Sequence, residues 1–347
     1  MKRLFYFSFI IVLSHLFAQE NLSYQKPPDE ILNLVDVSLP PGVLMDDKKN
    51  YMVCIYRDQY KSIAELSEPE LRLGGLRINP KTNIGSRTSY YNGIKIGNPR
   101  DSKSELHPVI GLPKNPRIAN LTWSPNQEKM AFTHTTTDGV ELWVLDLKSK
   151  TVKKLTDATL NGNIGPTFKW FRDNKSLLVQ LLPEDKGEII DAEDEVPIGP
   201  RISTNDGKKA QNRTFQDLLK NKIDEQNFEQ LTRATLVQVT LDGEQSNWKG
   251  TDMYKSLSFS PDGEFVMVTT IQKPFSYLVP YYRFPSKTMI YTKKGEPVKT
   301  LIEVPLIEDL PKGFMAVRKG ERDFSWRSDK PATIYYTVAL DEGDPKI

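Results

Sequence analysis

One local pattern recurs along this chain and limits its fold more than any other feature. An aromatic residue is followed by a turn rich in Ser, Pro, Asp, Asn or Gly, and then by a short apolar run. It occurs as Leu121-Thr-Trp-Ser-Pro-Asn126, Phe168-Lys-Trp-Phe-Arg-Asp173, Leu257-Ser-Phe-Ser-Pro-Asp-Gly263 and Phe324-Ser-Trp-Arg-Ser-Asp329. Trp123 and Trp170 are 47 residues apart, Trp170 and Phe259 are 89 apart, and Phe259 and Trp326 are 67 apart. The shortest spacing matches one four-stranded propeller blade, about 40–50 residues.

The runs between these turns read as strands. Lys129–His134, Glu141–Leu145, Ser176–Leu182, Glu264–Ile271 and Ala332–Val338 are short and rich in β-formers. Turn pairs such as Asp138-Gly139, Asp242-Gly243, Asp262-Gly263 and Lys294-Gly295 bound them. The pattern predicts an all-β fold, a partial (incomplete) β-propeller of about four to five four-stranded blades. The blades fall at 36–100, 118–156, 166–248 and 254–303, with a fifth opening near 322. A β-sandwich with recurrent hairpins is the alternative.

One helical or loop insertion, at 183–232, accounts for the longest spacing. Its first part, from Pro183, is polar and acid-rich, and it lacks the D-x-D-x-D-G spacing of a calcium loop. From Thr214 the pattern predicts a helix: Thr214 can cap, Asp217 suits the first turn, and Phe215, Leu218 and Leu219 share a face. The last residues, Asp341–Ile347, read as a turn leading to a further strand. A half-built propeller leaves edge strands bare, so the expectation is a segment of something larger.

The N-terminus carries a different signal. Met1-Lys2-Arg3 precedes an apolar run from Leu4 to Phe17, and Ala18 precedes Gln19-Glu20. This reads as a secretory signal over residues 1–18, with an uncleaved anchor as the alternative. Residues 19–35 are then an N-terminal extension and 36–347 the propeller, in an exported chain, periplasmic or secreted, with no membrane span after signal removal. The formal charge of +2 falls to zero past residue 18, with 45 basic against 45 acidic residues. That removes the electrostatic footprint of a nucleic-acid partner. Cys54 is the only cysteine, and after export only His107 and His134 remain of the histidines. No metal and no cofactor are expected. Asp36, Asp146 and Asp262 read as turn or capping residues, and His134 as packed.

Several longer stretches resemble the N-terminal propeller of the S9 (prolyl oligopeptidase) serine peptidases, in the glutamyl endopeptidase branch. They are Leu66-Ser-Glu-Pro-Glu70, Leu73-Gly-Gly-Leu-Arg-Ile78, Ser86-Arg-Thr-Ser-Tyr-Tyr-Asn-Gly93 and Arg213-Thr-Phe-Gln-Asp-Leu-Leu219. Farther on come Lys273-Pro-Phe-Ser-Tyr-Leu-Val-Pro280, Arg283-Phe-Pro285, Val317-Arg-Lys-Gly-Glu-Arg322 and Trp326-Arg-Ser-Asp-Lys-Pro331. The resemblance implies a substrate-gating propeller of a peptidase that cleaves through an acyl-serine, after Glu, with an α/β-hydrolase domain supplying the triad. These 347 residues contain no G-x-S-x-G elbow. No catalytic residue is therefore assigned, the hydrolase domain is expected to be absent, and a peptide or protein substrate is expected to engage through it. A stand-alone TolB-like binding propeller is the alternative. Arg77, Arg87, Tyr90 and Arg283 lie in the most family-like stretches and are the candidate substrate contacts, because an arginine can grip a carboxylate bidentately. The competing reading of each is a tie that holds a loop in place.

Overall fold

A computed structural model gives the structure of residues 25–101, 105–191, 214–311, 313 and 315–347. The expected signal segment and the middle of the expected insertion lie outside the described residues. The chain divides into two units, 1–40 and 41–347. The first contains helix α1 (Asp29–Val35), whose opening turn carries Asp29 and Glu30 where the helix dipole favours negative charge.

The second unit is built from four four-stranded antiparallel sheets. Blade 1 comprises β1 (Gly42–Met45) and β2 (Met52–Tyr56), followed after an excursion by β6 (Gly93–Gly97) and β7 (His107–Pro108). Within that excursion lie helix α2 (Ile63–Leu66) and a small sheet of β3 (Leu71–Leu73), β4 (Leu76–Asn79) and β5 (Ile84–Gly85). Blade 2 is an uninterrupted meander of β8 (Ile118–Trp123), β9 (Lys129–Thr135), β10 (Val140–Asp146) and β11 (Thr151–Lys154). In blade 3, β12 (Phe168–Trp170) and β13 (Ser176–Leu181) precede helix α3 (Lys222–Thr232), then β14 (Ala234–Thr240) and β15 (Gln245–Asp252) complete the sheet. Blade 4 is β16 (Tyr254–Phe259), β17 (Phe265–Ile271), β18 (Ser286–Thr292) and β19 (Pro297–Val304). A final pair, β20 (Arg322–Trp326) and β21 (Ile334–Thr337), forms a two-stranded sheet.

Burial explains why the second strands read as continuous apolar runs. Every residue of β13 is buried, as is β9 after Lys129, so both faces of these strands meet protein. The fourth strands β11, β15 and β19 are largely exposed. Apolar side chains fill the space between consecutive blades. Val53, Ile94 and Ile96 meet Ile118, Met130 and Phe132. Leu142 and Val144 meet Phe168, Trp170 and Val179. Leu178, Leu236 and Trp248 meet Leu257, Val266 and Val268.

The recurrent aromatics seat on these interfaces, as the repeat predicts. Trp170 Nε1 donates to the carbonyl of Thr122 at 3.2 Å, and Trp326 Nε1 to that of Ser258 at 3.1 Å. Each acceptor immediately precedes the matching aromatic of the previous blade, Trp123 or Phe259. In blade 4 Phe259 has no N–H to give, and its ring meets Phe171 edge-on at 4.8 Å instead.

The helix expected from Thr214 is displaced. It begins at Lys222, capped by Asn221, whose side chain accepts from Asp224 N at 2.8 Å. Asp217, assigned by the pattern to a first turn, has φ of +59°, which an α-helix cannot hold. Tertiary partners outbid local propensity here: Leu219 is buried and Asp217 is ion-paired to a distant arginine. The excursion of blade 1 is a second insertion that the pattern did not disclose.

Candidate functional site

In an antiparallel meander the turn between strands 1 and 2 leaves one end of the sheet, and the connection between strands 2 and 3 leaves the other. The connections between strands 2 and 3 of blades 1, 3 and 4 are long, at 57–92, 182–233 and 272–285, and leave from the second end. Blade 2 has only the tight turn after Thr135 there.

The three connections are locked to one another. Leu73 and Ile78 from the first, Leu219, Phe228 and Leu231 from the second, and Val279 and Phe284 from the third share one apolar cluster. Phe228 is fully buried and meets Phe275 and Phe284 at 5.1 and 5.6 Å, both edge-on. Gly75 N donates to Asp217 O at 2.8 Å, and Tyr281 N to Gly74 O at 2.7 Å. Gly75 has φ of +88°, and a Cβ there would stand 2.7 Å from Pro280 Cβ, so the Gly74-Gly75 turn requires glycine.

Over this core lies a chain of charges. Arg77 Nε meets Asp217 Oδ2 at 2.7 Å, and Arg72 Nε approaches Asp217 Oδ1 at 3.8 Å. Arg72 also donates to Glu70 Oε1 at 3.0 Å, and Arg87 Nε to Glu70 Oε2 at 2.9 Å. Ser86 Oγ donates to the same Glu70 oxygen at 2.6 Å. The Arg87 and Ser86 hydrogen bonds, with help from Arg72, hold the Glu70 carboxyl down at about 2. Asp217 in turn raises the Arg77 guanidinium further above its ordinary value.

The structure thus joins only two of the four candidate contacts. Arg77 and Arg87 join one network through Asp217, Arg72 and Glu70, whereas Arg283 packs its guanidinium 4.9 Å from the Phe215 ring of the blade 3 connection. Arg283 is almost wholly buried. Tyr90 stands apart, its ring stacked under Arg117 at 4.4 Å, where burial pushes its phenol up. Arg117 Nη1 meets Glu68 Oε1 at 2.9 Å and Nη2 donates to Oε2 at 3.2 Å. The partners Glu68, Glu70, Arg117 and Asp217 were not singled out as site residues. Glu68, Glu70 and Asp217 do sit inside the family-like stretches, but 140 residues separate Arg77 from Asp217, which no local pattern spans.

The remaining residues weighed from sequence take structural positions. Asp146 Oδ1 accepts from Ser149 N and Oγ, while Lys129 holds Oδ2 at 2.6 Å. Asp262 Oδ1 accepts from Ser260 Oγ and Glu264 N. His134 is buried, with Nδ1 3.2 Å from Glu141 Oε2. Cys54 is buried in β2, where desolvation pushes its thiol up. Among the described residues no group of His, Cys, Asp and Glu is arranged to hold a metal, and no helix is long and apolar enough to cross a membrane.

Comparison with known proteins turns on two curated relatives. The chain is 34% identical over 339 residues to a protein named "Probable glutamyl endopeptidase, chloroplastic" of Oryza sativa subsp. japonica, covering 94% of this chain and 36% of that one. It is 33% identical over 335 residues to a protein of the same name from Arabidopsis thaliana, covering 93% and 34% respectively. Over nearly its whole length the chain is similar to a propeller portion of glutamyl endopeptidase-like S9 peptidases. It spans about a third of the length of these relatives. Among solved structures, the Pyrococcus horikoshii acylaminoacyl peptidase aligns over 80% of this chain and 34% of its own, at 16% identity and a TM-score of 0.42. No protein-family model matches the chain. The sequence stretches Leu73–Ile78, Ser86–Gly93 and 214–219 contribute Leu73, Arg77, Ile78, Arg87, Asp217 and Leu219 to the interlocked end.

Proposed function

We propose that this chain is the substrate-gating propeller of an exported S9-type serine endopeptidase that cleaves after glutamate. Residues 1–18 serve as its leader, 19–35 as an extension and 36–347 as the propeller, with the insertion at 183–232 joined by the excursion at 57–92. The Ser, Asp and His of the reaction come from an α/β-hydrolase domain outside these 347 residues, and a peptide or protein substrate engages there. The observation that carries the reading is identity of a third over nearly the whole chain to proteins named for that activity.

The arrangement supports a gate. Three long connections gathered at one end of the blades form a packed surface bearing Arg72, Arg77 and Arg87. Such a surface sorts chains by size and charge before they reach a nucleophile, which is selection without chemistry. Arg77 and Arg87 hold Asp217 and Glu70, so a substrate carboxylate reaching them exchanges with a carboxylate already in place.

The test has two arms. Reading the gene beyond the Ile347 codon should extend the blade pattern and then reach a G-x-S-x-G elbow; unrelated sequence in every frame sinks the peptidase reading. The full chain incubated with Glu-containing peptides should release no product. Turnover surviving controls for contaminating protease would show that these residues carry chemistry themselves.

A further inference from the structure

A second polar site lies at the same end of the blades, between blades 1 and 2, and the network around Glu70 does not include it. It is a cleft of about 500 Å³, within the usual range of ligand sites. Arg57, Asp58 and Lys61 of the blade 1 connection line it together with Tyr90, Asn92 and Asn115 to Arg117. The cleft is firmly framed: Tyr91 and Ile118 exchange both backbone hydrogen bonds, at 2.8 and 2.9 Å, joining the two blades below it. Arg117 is committed to Glu68 and stacked on Tyr90, so it forms wall and leaves no free charge.

The charges of the remaining lining groups are unevenly satisfied. Asp58 accepts from Asn92 Nδ2 at 2.8 Å, and Glu65 accepts from Ser62 N at 2.9 Å while capping helix α2. Neither acid forms an ion pair with Arg57 or Lys61, and among the described residues those two cations have no carboxylate partner. Lys61 Nζ donates to Ser86 O at 3.5 Å and Thr88 O at 3.0 Å. An ammonium has three donors, so these two bonds fix its position and leave one N–H for a ligand. A positioned ammonium and an exposed guanidinium lining one cleft select a carboxylate. The side-chain amides of Asn92 and Asn115 and the Ser89 hydroxyl add the mixed donors and acceptors that a peptide backbone needs.

We propose that this cleft binds an acidic peptide segment, with Arg57 and Lys61 gripping its carboxylates. The choice of a peptide over a small carboxylate rests on the peptidase reading; the choice of an acidic ligand rests on the two cations. Binding here favours glutamate-rich chains among those that reach the propeller.

Fluorescence anisotropy on the full chain tests this, using a fluorescein-labelled peptide of alternating Glu and Ala and the same peptide with Gln for Glu. The Glu peptide should bind about tenfold more tightly. Arg57→Ala with Lys61→Ala should bring it to the Gln peptide's affinity, Arg57→Lys with Lys61→Arg should retain most of the preference, and Lys48→Ala with Lys49→Ala at the opposite end should change nothing. Thermal melts of each variant report on folding. Equal binding of both peptides, no binding, or equal loss in the Lys48/Lys49 variant overturns the site. The readout is affinity without turnover, so it stands or falls separately from whether a hydrolase domain follows Ile347.

Discussion

The two ends of the blades are built on opposite principles. At the strand 1–2 end the connections are short, similar in sequence and joined blade to blade. Asp47 N donates to Gln127 Oε1 at 2.7 Å, Asn126 N to Asn174 Oδ1 at 2.7 Å, and Asp262 N to Pro331 O at 3.1 Å. At the strand 2–3 end the connections run from a tight turn in blade 2 to some fifty residues in blade 3, and they interlock through side chains. The strands do not register the difference: β9 pairs β10, and β13 pairs β14, in unbroken antiparallel ladders. A blade's sheet is thus specified by its buried second strand and its repeated turn. What is inserted beyond the second strand is free to be shaped by function.

The largest expected effect breaks the variable end while leaving the repeated one. Phe228→Ala empties the middle of the interlocked cluster and should cost about 3–5 kcal/mol, the usual toll for a fully buried aromatic. Hydrogen exchange should show helix α3 losing protection, while the turn amides of Ser124 and Ser260, bonded to Lys129 O and Phe265 O, keep theirs. Equal loss at both ends would mean that blades and excursions form one cooperative unit.

A smaller effect belongs to the repeated end. Trp170→Phe keeps a ring at the blade 2–3 interface but removes the hydrogen bond to Thr122 O, reproducing what blade 4 has naturally in Phe259. It should lower stability by about 1 kcal/mol, seen as a shifted denaturation midpoint with an unchanged slope. A loss several times larger would show that the indole fills space a phenyl ring cannot, and that Phe259 is compensated elsewhere.

The same contrast decides what could be read from the residues. Trp123, Trp170, Phe259 and Trp326 announce the blades because the repeated end uses local chemistry: an aromatic on the interface and an Asx-type turn beside it. Cys54 and His134 were legible as packed residues, since each lies in an apolar strand with no cluster around it. The site was legible only in halves. Arg77, Arg87, Tyr90 and Arg283 stood out, yet their partners did not, because Asp217 and Glu70 act across excursions whose conformation is set by tertiary contact. Asp217 shows this most plainly. Read locally it belongs to a first helical turn; folded, it adopts a left-handed backbone, and the helix waits until Asn221 can cap it. Strands β3 to β5 are two to four residues long, too short for any periodicity to register.

The smallest expected effect sharpens the comparison by pH. Glu70 has its carboxyl held at about 2, against an ordinary 4.5, by Arg87, Ser86 and Arg72. A depressed folded-state value means that the stabilisation is complete above about 4.5 and drains away as pH falls towards 2. Arg87 and Arg72 are 63% and 55% exposed, so solvent screens both pairs and the contribution at neutral pH is about 0.5 kcal/mol. Glu70→Gln should therefore cost about that much at pH 7 and make the melting temperature fall less steeply between pH 4.5 and 2. Added salt should shrink the difference between the two proteins, because exposed pairs are screened over a Debye length of about 8–10 Å at moderate ionic strength. An unchanged acid limb in the variant would mean that the arginines of this end are held by the apolar cluster beneath them and that Glu70 merely neutralises them. In that case a substrate carboxylate could take its place at Arg87 with little cost to the fold, which is the exchange that the gating reading requires.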